Sequence, residues 1–266
     1  MRRIYSLVLS CLLTLSLQGQ QLPAHLQQKG FVTPRRVLWI GDSITDGGWG
    51  NSGGSMAASD ARNHGDMNHI YGHSYMMLCA SQLQSAHPSE QIKCWNRGIS
   101  GNTLQQMADR WSADALALRP NVISILVGTN DVHYYLDEKA AGKTSAPFDV
   151  KAWEEHYRQL IRLTQDSLPG VRLVLCTPFV GKAGWVGQAE NFPERQALVE
   201  ALAASVRRIA QDTHATLVSF DSLFANLRAS DPSPDHNYWI WDGIHPTPAG
   251  HRQMADLWLK EVFGED

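Results

Sequence analysis

Four short segments carry side chains suited to acyl transfer, and each lies just after a predicted strand or just before a predicted helix. They are Gly41-Asp42-Ser43, Arg97-Gly98, Gly128-Thr129-Asn130-Asp131 and Asp242-Gly243-Ile244-His245-Pro246. Acyl transfer requires a nucleophile, a base within hydrogen-bond reach, a group that orients the base, and donors that stabilise an oxyanion. The residue types in the four segments supply each of these parts.

Ser43 is the candidate nucleophile, because it follows the apolar run 37–40 after only a Gly-Asp pair. A buried strand that turns sharply at its carboxyl end would hold the hydroxyl where open α/β sheets bind their ligands. A hydroxyl is a poor nucleophile until a base takes its proton, and His245 is the candidate base. Asp242 lies three residues before His245 and can reach its Nδ1, which would fix the tautomer of the ring.

The backbone N–H groups of Ser43 and Gly98 and the side-chain amide of Asn130 form the predicted oxyanion hole. Taken one at a time, these residues have simpler interpretations, since glycines and Asn form turns and Asp242 could cap a turn. The co-occurrence of nucleophile, base, acid and amide donors at strand ends favours the catalytic interpretation. Asp131 is predicted to support the loop that carries Asn130.

Strands alternate with amphipathic helices along the chain. Apolar runs predict five strands, at residues 36–40, 91–96, 121–127, 171–176 and 216–220. Helices are predicted at residues 71–87, 103–118, 153–168, from 193 onward, and from 248 to about 262. The second of these begins with a capping box formed by Thr103 and Gln106. The fourth has Pro193 in its first turn, and the last has Thr247 as N-cap and Pro248 as its first residue. Loops are predicted at residues 47–68, 178–188 and 221–241. This alternation predicts one three-layer α/β domain around a parallel sheet, spanning residues 21–266.

In this order, the four segments resemble the sequence blocks of the SGNH (GDSL-type) hydrolase superfamily, and the resemblance covers essentially the whole chain after residue 20. It implies a flavodoxin-like fold, a five-stranded parallel sheet in the order 2-1-3-4-5, and catalysis without a metal or an organic cofactor. Within that superfamily, the stretches 96–102 and 245–251 are similar to bacterial xylan-type carbohydrate esterases. This narrower resemblance implies an acetylated carbohydrate as the substrate.

Four tryptophans are candidate sugar platforms, since aromatic rings bury a large apolar face while keeping a polar edge. They are Trp49, Trp185, Trp239 and Trp241, all in predicted loops above the sheet, where ordinary packing is the alternative. Arg97 could contact substrate or pair with a buried acid. No acid pair accompanies three further histidines, so we predict no metal site at His64, His69 and His73.

Composition and charge exclude several classes of function. With 43% apolar and 18% charged residues among 266, the chain can bury a full core. Its net charge of −3 provides no basic patch for nucleic acid and no polybasic membrane arm. Cys79, Cys94 and Cys176 fit no zinc pattern, so buried thiols are expected, and a Cys79–Cys94 disulfide stays open.

The N-terminal residues have the pattern of a signal peptide. Arg2 and Arg3 precede the apolar run 4–17, and a polar stretch at 18–21 would hold the cleavage point. The apolar run is too short to span a bilayer comfortably, so no stable membrane insertion is expected. We therefore predict a signal peptide at residues 1–20 and a periplasmic or secreted protein.

Together, these observations favour a secreted serine esterase that hydrolyses acetyl esters on plant polysaccharides such as xylan or pectin. A lysophospholipase or thioesterase acting on longer acyl chains is the first alternative, but the loops near the site contain no aliphatic run that could form a groove. A carbohydrate-binding protein without catalysis is the second alternative. Such a protein would have no reason to retain Ser43, Asp242 and His245.

Overall fold

Five short strands form one parallel sheet in the computed structural model of this chain, which describes residues 36–49 and 70–264. The strands are β1 (Arg36–Gly41), β2 (Lys93–Gly98), β3 (Val122–Leu126), β4 (Arg172–Cys176) and β5 (Thr216–Val218). They are ordered β2-β1-β3-β4-β5, and each neighbouring pair is parallel. The structure confirms the predicted α/β fold and its strand order.

Helices connect the strands and cover both faces of the sheet. Those of the described residues are α1 (Ser43–Asp46), α2 (Tyr75–Ala86), α3 (Leu104–Asp109), α4 (Trp111–Asp114), α5 (Thr129–Ala140), α6 (Val150–Ser167), α7 (Gly184–Gln188), α8 (Phe192–Thr213), α9 (Phe220–Ala229) and α10 (Pro248–Phe263). Short 3₁₀ turns occur at Pro88–Glu90 and Leu116–Leu118. Long helical crossovers are what parallel strand neighbours require.

Strand side chains are buried on both faces, as expected of a parallel sheet between two helical layers. Leu38, Ile40 and Ile125 join one apolar cluster with residues of α3, α6 and α8. On the opposite face Trp39 packs against Trp258 of α10, with ring centroids 4.9 Å apart. Burial on both faces holds the strands in register and sets the carboxyl ends of β1, β2 and β3 side by side.

Two long helices, α5 and α9, occupy segments for which the sequence predicts no helix, as do the short helices α1 and α7, the latter within the predicted loop 178–188. α5 begins directly after Gly128, whose φ is 127° and which has no side chain to cap the helix. The usual Ser or Asp signal for a helix start is therefore missing. β5 ends at Val218, before residue 220, because Phe220 is the buried first residue of α9. An apolar run alone does not distinguish the end of a strand from the buried start of a helix.

The helix predicted over residues 103–118 is interrupted. Its capping box is present, since Thr103 Oγ1 accepts a hydrogen bond from the Gln106 N–H and the Gln106 side chain accepts one from the Thr103 N–H. The helix breaks at Arg110 (φ −103°, ψ 5°), which separates α3 from α4. The break brings the Arg110 guanidinium to the carbonyl oxygens of Gly41 and Arg97, at the ends of β1 and β2.

Several expectations fall outside the described residues, namely the signal peptide, most of the loop 47–68, and His64 and His69. Cys79, Cys94 and Cys176 are buried and free, so the disulfide left open by the sequence is not formed. Burial raises the pKa of Cys94 to about 12, which keeps this thiol protonated and unreactive. No helix among the described residues is both long and apolar enough to cross a membrane.

Trp258 should be a main source of stability. It is fully buried, packs against Trp39, and donates its indole N–H to Ser124 Oγ at 2.9 Å. We expect Trp258→Ala to lower the free energy of unfolding by about 3–5 kcal/mol, measured by urea denaturation, because it leaves a cavity between helix and sheet. Leu163→Ala is the control, since Leu163 is 48% exposed and its loss should change stability by no more than about 0.5 kcal/mol. Equal effects of the two substitutions would contradict this packing.

Candidate active site

The nucleophile turn joins β1 directly to α1. Asp42 is the N-cap of α1, and its Oδ1 accepts a hydrogen bond from the Ile44 N–H at 3.0 Å. The cap makes Ser43 the first helical residue and leaves its side chain half-buried at the carboxyl edge of the sheet. No larger residue fits at Gly41, because a Cβ there would collide with the Leu126 carbonyl oxygen of β3.

Ser43, His245 and Asp242 form a continuous hydrogen-bonded chain. Ser43 Oγ lies 2.8 Å from His245 Nε2, and His245 Nδ1 lies 2.7 Å from Asp242 Oδ2. Asp242 Oδ1 accepts two further hydrogen bonds, from the backbone N–H groups of Ile244 (2.9 Å) and His245 (2.7 Å). The carboxylate therefore holds both the ring and the backbone of the base, with Nδ1 as the donor and Nε2 free to accept the hydroxyl proton.

The charges around this chain favour ionised Asp242 and a basic His245. Burial alone would raise the pKa of Asp242, but the hydrogen bonds from His245 and Ile244 outweigh it and hold that pKa below its usual value. The hydrogen bond to Asp242 raises the pKa of His245 against the opposing effect of burial. Burial also raises the pKa of Asp42 to about 7. A base whose pKa lies above that of free histidine takes a proton more readily.

The prediction for Gly98 in the oxyanion hole is contradicted. Its backbone N–H donates to Asn96 Oδ1 at 2.9 Å, so this donor is already used within the protein. Gly98 is nevertheless required for a different reason. A Cβ at this position would collide with the backbone of Asp46 at the end of α1. Gly98 thus allows the nucleophile turn to approach β2, and it supplies no free donor.

Gly101 is the better candidate for the second backbone donor, and sequence reasoning missed it. Its φ of 82° turns the chain after β2, and its N–H has no acceptor within residues 36–49 and 70–264. The same holds for the Ser43 N–H. Asn130 Nδ2 donates to the carbonyl oxygen of Asn102, the residue after Gly101, at 3.2 Å, which leaves its second N–H available. The Ile99-Ser100-Gly101 turn was the available sequence signal.

Two polar side chains fasten the oxyanion loop to the nucleophile turn. The Asn96 amide donates to the carbonyl oxygens of Thr45, Asp46 and Tyr71 at 2.9–3.0 Å while its Oδ1 accepts from Gly98. Asp46 Oδ2 accepts from both the N–H and the hydroxyl of Ser100, each at 2.9 Å. Both side chains are buried, where their hydrogen bonds replace those to water and restrict motion.

Arg110 connects the same loops from the other side. Its guanidinium donates to the carbonyl oxygens of Gly41 (3.2 Å) and Arg97 (2.7 Å) and to Asn102 Oδ1 (2.8 Å). It also pairs with Asp114 at 2.7 Å. One planar cation therefore contacts the segment before Ser43, the segment before Gly98 and the residue after Gly101. The rigid fork of Arg suits this geometry, whereas the single ammonium of Lys cannot reach all three acceptors.

Trp49 and Arg97, both proposed from the sequence as substrate contacts, are buried. Trp49 is 1% exposed and donates its indole N–H to the Gly98 carbonyl oxygen at 3.0 Å, so its ring cannot stack on a sugar. Arg97 is 9% exposed, lies over the Trp49 ring at 5.2 Å, and pairs with Asp114 at 3.7 Å. The alternative reading for Arg97, a partner of a buried acid, is the one that the structure supports. Both residues support the oxyanion loop from beneath.

The other three tryptophans differ in exposure. Trp241 is 57% exposed, and its ring is inclined by 26° to that of His245 with centroids 6.5 Å apart. Trp185 is 52% exposed and contacts His133, one turn beyond Asn130 on α5. Trp239 is partly buried and lines a separate cavity. Trp241 and Trp185 are therefore the aromatic rings available to a ligand at the catalytic edge.

The described residues contain no cluster of three or more His, Cys, Asp and Glu side chains that could hold a metal ion. Asp131, predicted to support the Asn130 loop, accepts hydrogen bonds from the Leu104 N–H and the Trp153 indole N–H. This contact ties the start of α5 to α3 and α6. The site as a whole combines a candidate serine nucleophile with an oriented base and three candidate oxyanion donors, an arrangement suited to acyl transfer.

The pH dependence of activity should report His245. Only neutral imidazole can take the Ser43 proton, and the hydrogen bond to Asp242 raises the His245 pKa above the usual value of about 6.5. We expect kcat/KM on an aryl acetate to fall as the pH drops through a midpoint above about 6.5. Asp242→Asn should move that midpoint down and lower kcat by a factor on the order of 10⁴. If Asp242→Asn left the midpoint unchanged, the assignment of His245 as the base oriented by Asp242 would be refuted.

Arg110 should act on catalysis by positioning the oxyanion loop. Arg110→Lys keeps a charge beside Asp114 but loses the fork to the three oxygens. We expect kcat to fall by about 10- to 100-fold with little change in KM, since small displacements of catalytic donors have large effects. Arg158→Lys is a matched control, because Arg158 pairs with Glu154 and Asp212, residues outside this site. An unchanged kcat in folded Arg110→Lys, verified by circular dichroism, would show that the loop is held without this residue.

Comparison with known proteins agrees with this geometry. Residues 39–253 match the GDSL-like lipase/acylhydrolase family. A curated acetylxylan esterase from Geobacillus stearothermophilus is 29% identical over 240 residues, which cover 85% of this chain and 93% of that protein. A solved structure named as a GDSL-like lipase, from Parabacteroides merdae, superposes with a TM-score of 0.70 at 30% identity, covering 85% of this chain and 94% of the other.

The solved acetylxylan esterase Axe2 from Geobacillus stearothermophilus superposes with a TM-score of 0.68 at 28% identity, covering 87% of this chain and 95% of that one. Solved catalytic mutants of Axe2 replace a Ser, an Asp or a His by Ala. In Axe2 that Asp lies three residues before that His, the spacing of Asp242 and His245 here. On the extent of the family match and this site geometry, the chain belongs to the GDSL-like lipase/acylhydrolase family of ester hydrolases.

Proposed function

We propose that this ester hydrolase removes acetyl groups from plant polysaccharides, with acetylated xylan as the first candidate substrate and pectin as the second. The observation that carries the proposal is the exposed Trp241 ring beside His245, next to the hydrogen-bonded chain that ends at Ser43. A flat aromatic face next to the base suits a sugar whose ester oxygen must approach Nε2. The similarity to acetylxylan esterases supports the same substrate class.

The geometry is suited to a two-step reaction. Ser43 Oγ attacks the acetyl carbonyl carbon while His245 Nε2 takes the hydroxyl proton. The N–H groups of Ser43 and Gly101 and the Asn130 amide stabilise the negative oxygen that forms. His245 then gives its proton to the sugar oxygen as the C–O bond breaks, which leaves acetyl-Ser43. A water molecule, activated by the same base, releases acetate and restores the serine.

The surface composition also supports a carbohydrate. Of the large hydrophobic side chains that the described residues expose, all but Leu163 are aromatic: Tyr134, Trp185, Tyr238 and Trp241. Trp241 and Tyr238 lie on the segment before His245, and Tyr134 lies on α5 one turn after Asn130. Exposed aromatic residues of this kind indicate a binding surface. A lipid substrate would instead require aliphatic side chains around the site.

Export of the protein remains part of the proposal. It rests on the N-terminal sequence, where Arg2 and Arg3 precede an apolar run and a polar stretch. A polysaccharide substrate lies outside the cell, so export and substrate are mutually consistent. N-terminal sequencing of the protein recovered from the periplasm or medium would test this directly, with a new N-terminus near residue 20 as the expected result.

The proposal predicts a preference of the wild type for short acyl groups. We expect kcat/KM to fall from acetyl through butyryl to octanoyl aryl esters, since no aliphatic surface offsets the desolvation of a longer chain, at about 0.8 kcal/mol per methylene.

Ser43→Ala should lose activity on every ester by a factor on the order of 10⁴–10⁶. Trp241→Ala should lower kcat/KM on acetylated xylo-oligosaccharide by about tenfold and leave aryl acetate hydrolysis unchanged.

Leu163→Ala is the control for Trp241→Ala, because Leu163 is also an exposed hydrophobic side chain but lies on α6, outside the site. A preference for octanoyl over acetyl esters would favour the lysophospholipase or thioesterase alternative. Binding of oligosaccharide with no hydrolysis of any ester would favour the non-catalytic alternative. Equal losses on both substrates in Trp241→Ala would show that the ring supports the base and does not bind sugar.

A further inference from the structure

A cavity that Ser43 does not line, here called the distal cavity, lies between α8, α9 and the segments 178–182 and 236–240. Its volume is about 280 Å³, and its lining contains neither Ser43 nor His245. The cavity nevertheless adjoins the catalytic loop. Ile240 of its wall lies two residues before Asp242, and the Gly181 N–H donates to the Gly243 carbonyl oxygen at 2.8 Å. A ligand in the distal cavity would therefore sit close behind the loop that carries the base.

A cleft of about 450 Å³ lies beside the distal cavity. Lys182, Arg228 and His236 line both the cleft and the distal cavity, so the two are adjacent. The cleft is also lined by Gly184, whose backbone packs so closely on the backbone of Trp241 and Asp242 that a Cβ would not fit. The cleft therefore lies next to both the distal cavity and the backbone of the segment that carries Trp241 and Asp242.

The lining of the distal cavity combines an apolar floor with a rim of mixed charge. Phe179 and Phe224 pack closely, with ring centroids 4.4 Å apart and planes inclined by 35°, and Trp239 adds a third aromatic ring. The rim has the cations Lys182 and Arg228 and the carboxylates Glu200 and Asp231. Asp221 also lines the cavity, but it is paired with Arg207 at 2.7 Å.

This composition matches an uncharged ligand that has apolar C–H faces and many hydroxyls. Hydroxyl groups both donate and accept, so they can bond to carboxylates and cations on one rim. An acyl chain would leave the rim charges without partners, which is costly on desolvation. An anionic ligand would face the carboxylates of Glu200 and Asp231. A sugar ring satisfies both the floor and the rim.

We propose that the distal cavity is a second carbohydrate-binding site that holds a neutral sugar unit of the polysaccharide whose ester is cleaved at Ser43. The proposal rests on the carbohydrate function proposed above and specifies it further. A chain bound at both places spans the Trp241 ring, the cleft and the distal cavity. The enzyme therefore distinguishes long oligosaccharides from short ones, although the reaction at the ester is the same for both.

Filling the distal cavity tests the proposal. Ala225→Trp places a bulky ring at its α9 wall, and Ala229→Trp places the same ring on an exposed position of α9 that does not line the cavity. In the wild type we expect kcat/KM to be about tenfold higher for acetylated xylopentaose than for acetylated xylobiose, the ratio that one good aromatic contact provides. Ala225→Trp should abolish this preference through KM and leave xylobiose and aryl acetate unchanged. Ala229→Trp should behave as the wild type.

A direct binding measurement separates this proposal from the proposed function. Calorimetric titration with unacetylated xylopentaose needs no ester cleavage, and we expect binding by the wild type and Ala229→Trp but about tenfold weaker binding by Ala225→Trp. Arg228→Ala, which changes only an exposed side chain shared by cleft and cavity, should also weaken binding if Ala225→Trp folds poorly.

Several outcomes would overturn the proposal. They are a wild type without length preference, a preference that survives in folded Ala225→Trp, and xylopentaose binding equal in all variants. A preference for octanoyl esters that Ala225→Trp removes would assign the cavity to an acyl chain. If acetylated sugars are not hydrolysed but Ala225→Trp still weakens xylopentaose binding, the proposed function fails while the sugar site stands.

Discussion

The close approach of three backbone segments at the carboxyl edge of the sheet is the constraint on which the site depends. The nucleophile turn packs against the ends of β2 and β3 with no side chain between them, because a Cβ on Gly41 or Gly98 would meet backbone atoms of Leu126 or Asp46. Only this contact brings the Ser43 N–H near the loop that follows β2. The two glycines therefore act through the space they leave, and a larger residue at either would separate nucleophile from oxyanion loop.

Such close packing buries backbone carbonyl and N–H groups, and each of them needs a partner. Asn96 and Arg110 supply several of these partners, and together they contact the nucleophile turn, the end of β2 and the residue after Gly101. Trp49 and Arg97 pack beneath the same loop. The catalytic groups are thus few, while a larger set of buried polar side chains fixes where they lie. Preorganised donors need no rearrangement when charge develops, which is the main physical advantage of such a site.

Above this rigid edge the protein exposes aromatic rings, and beside it lies the distal cavity. The contrast follows from the two tasks of the site. Ester cleavage needs a few groups held within narrow limits of distance, and these are buried or half-buried around Ser43. The proposed recognition of an extended polar chain needs several flat contacts spread over a larger surface, and the exposed rings of Trp185 and Trp241 are suited to such contacts.

The sequence by itself determined the fold class, the strand order through the family resemblance, and the identity of Ser43, Asp242 and His245 as candidate catalytic residues. These inferences rest on local information, since apolar runs mark buried strands and the catalytic residues sit directly at their ends. Helices α5 and α9 were not predicted from the sequence, because Gly128 gives no capping signal and Phe220 extends an apolar run into a helix.

Only the tertiary structure decided which donors are free and which aromatic rings are exposed. Gly98 and Gly101 are equally plausible in the sequence. The Asn96 side chain, which the carbonyl oxygens of Thr45, Asp46 and Tyr71 hold in place, accepts the N–H of Gly98 and not that of Gly101. Trp49 and Trp241 are both loop tryptophans, yet one lies beneath the oxyanion loop and the other faces solvent. Exposure and hydrogen-bond occupancy depend on what the rest of the chain places beside a residue, and no local pattern encodes those distant neighbours.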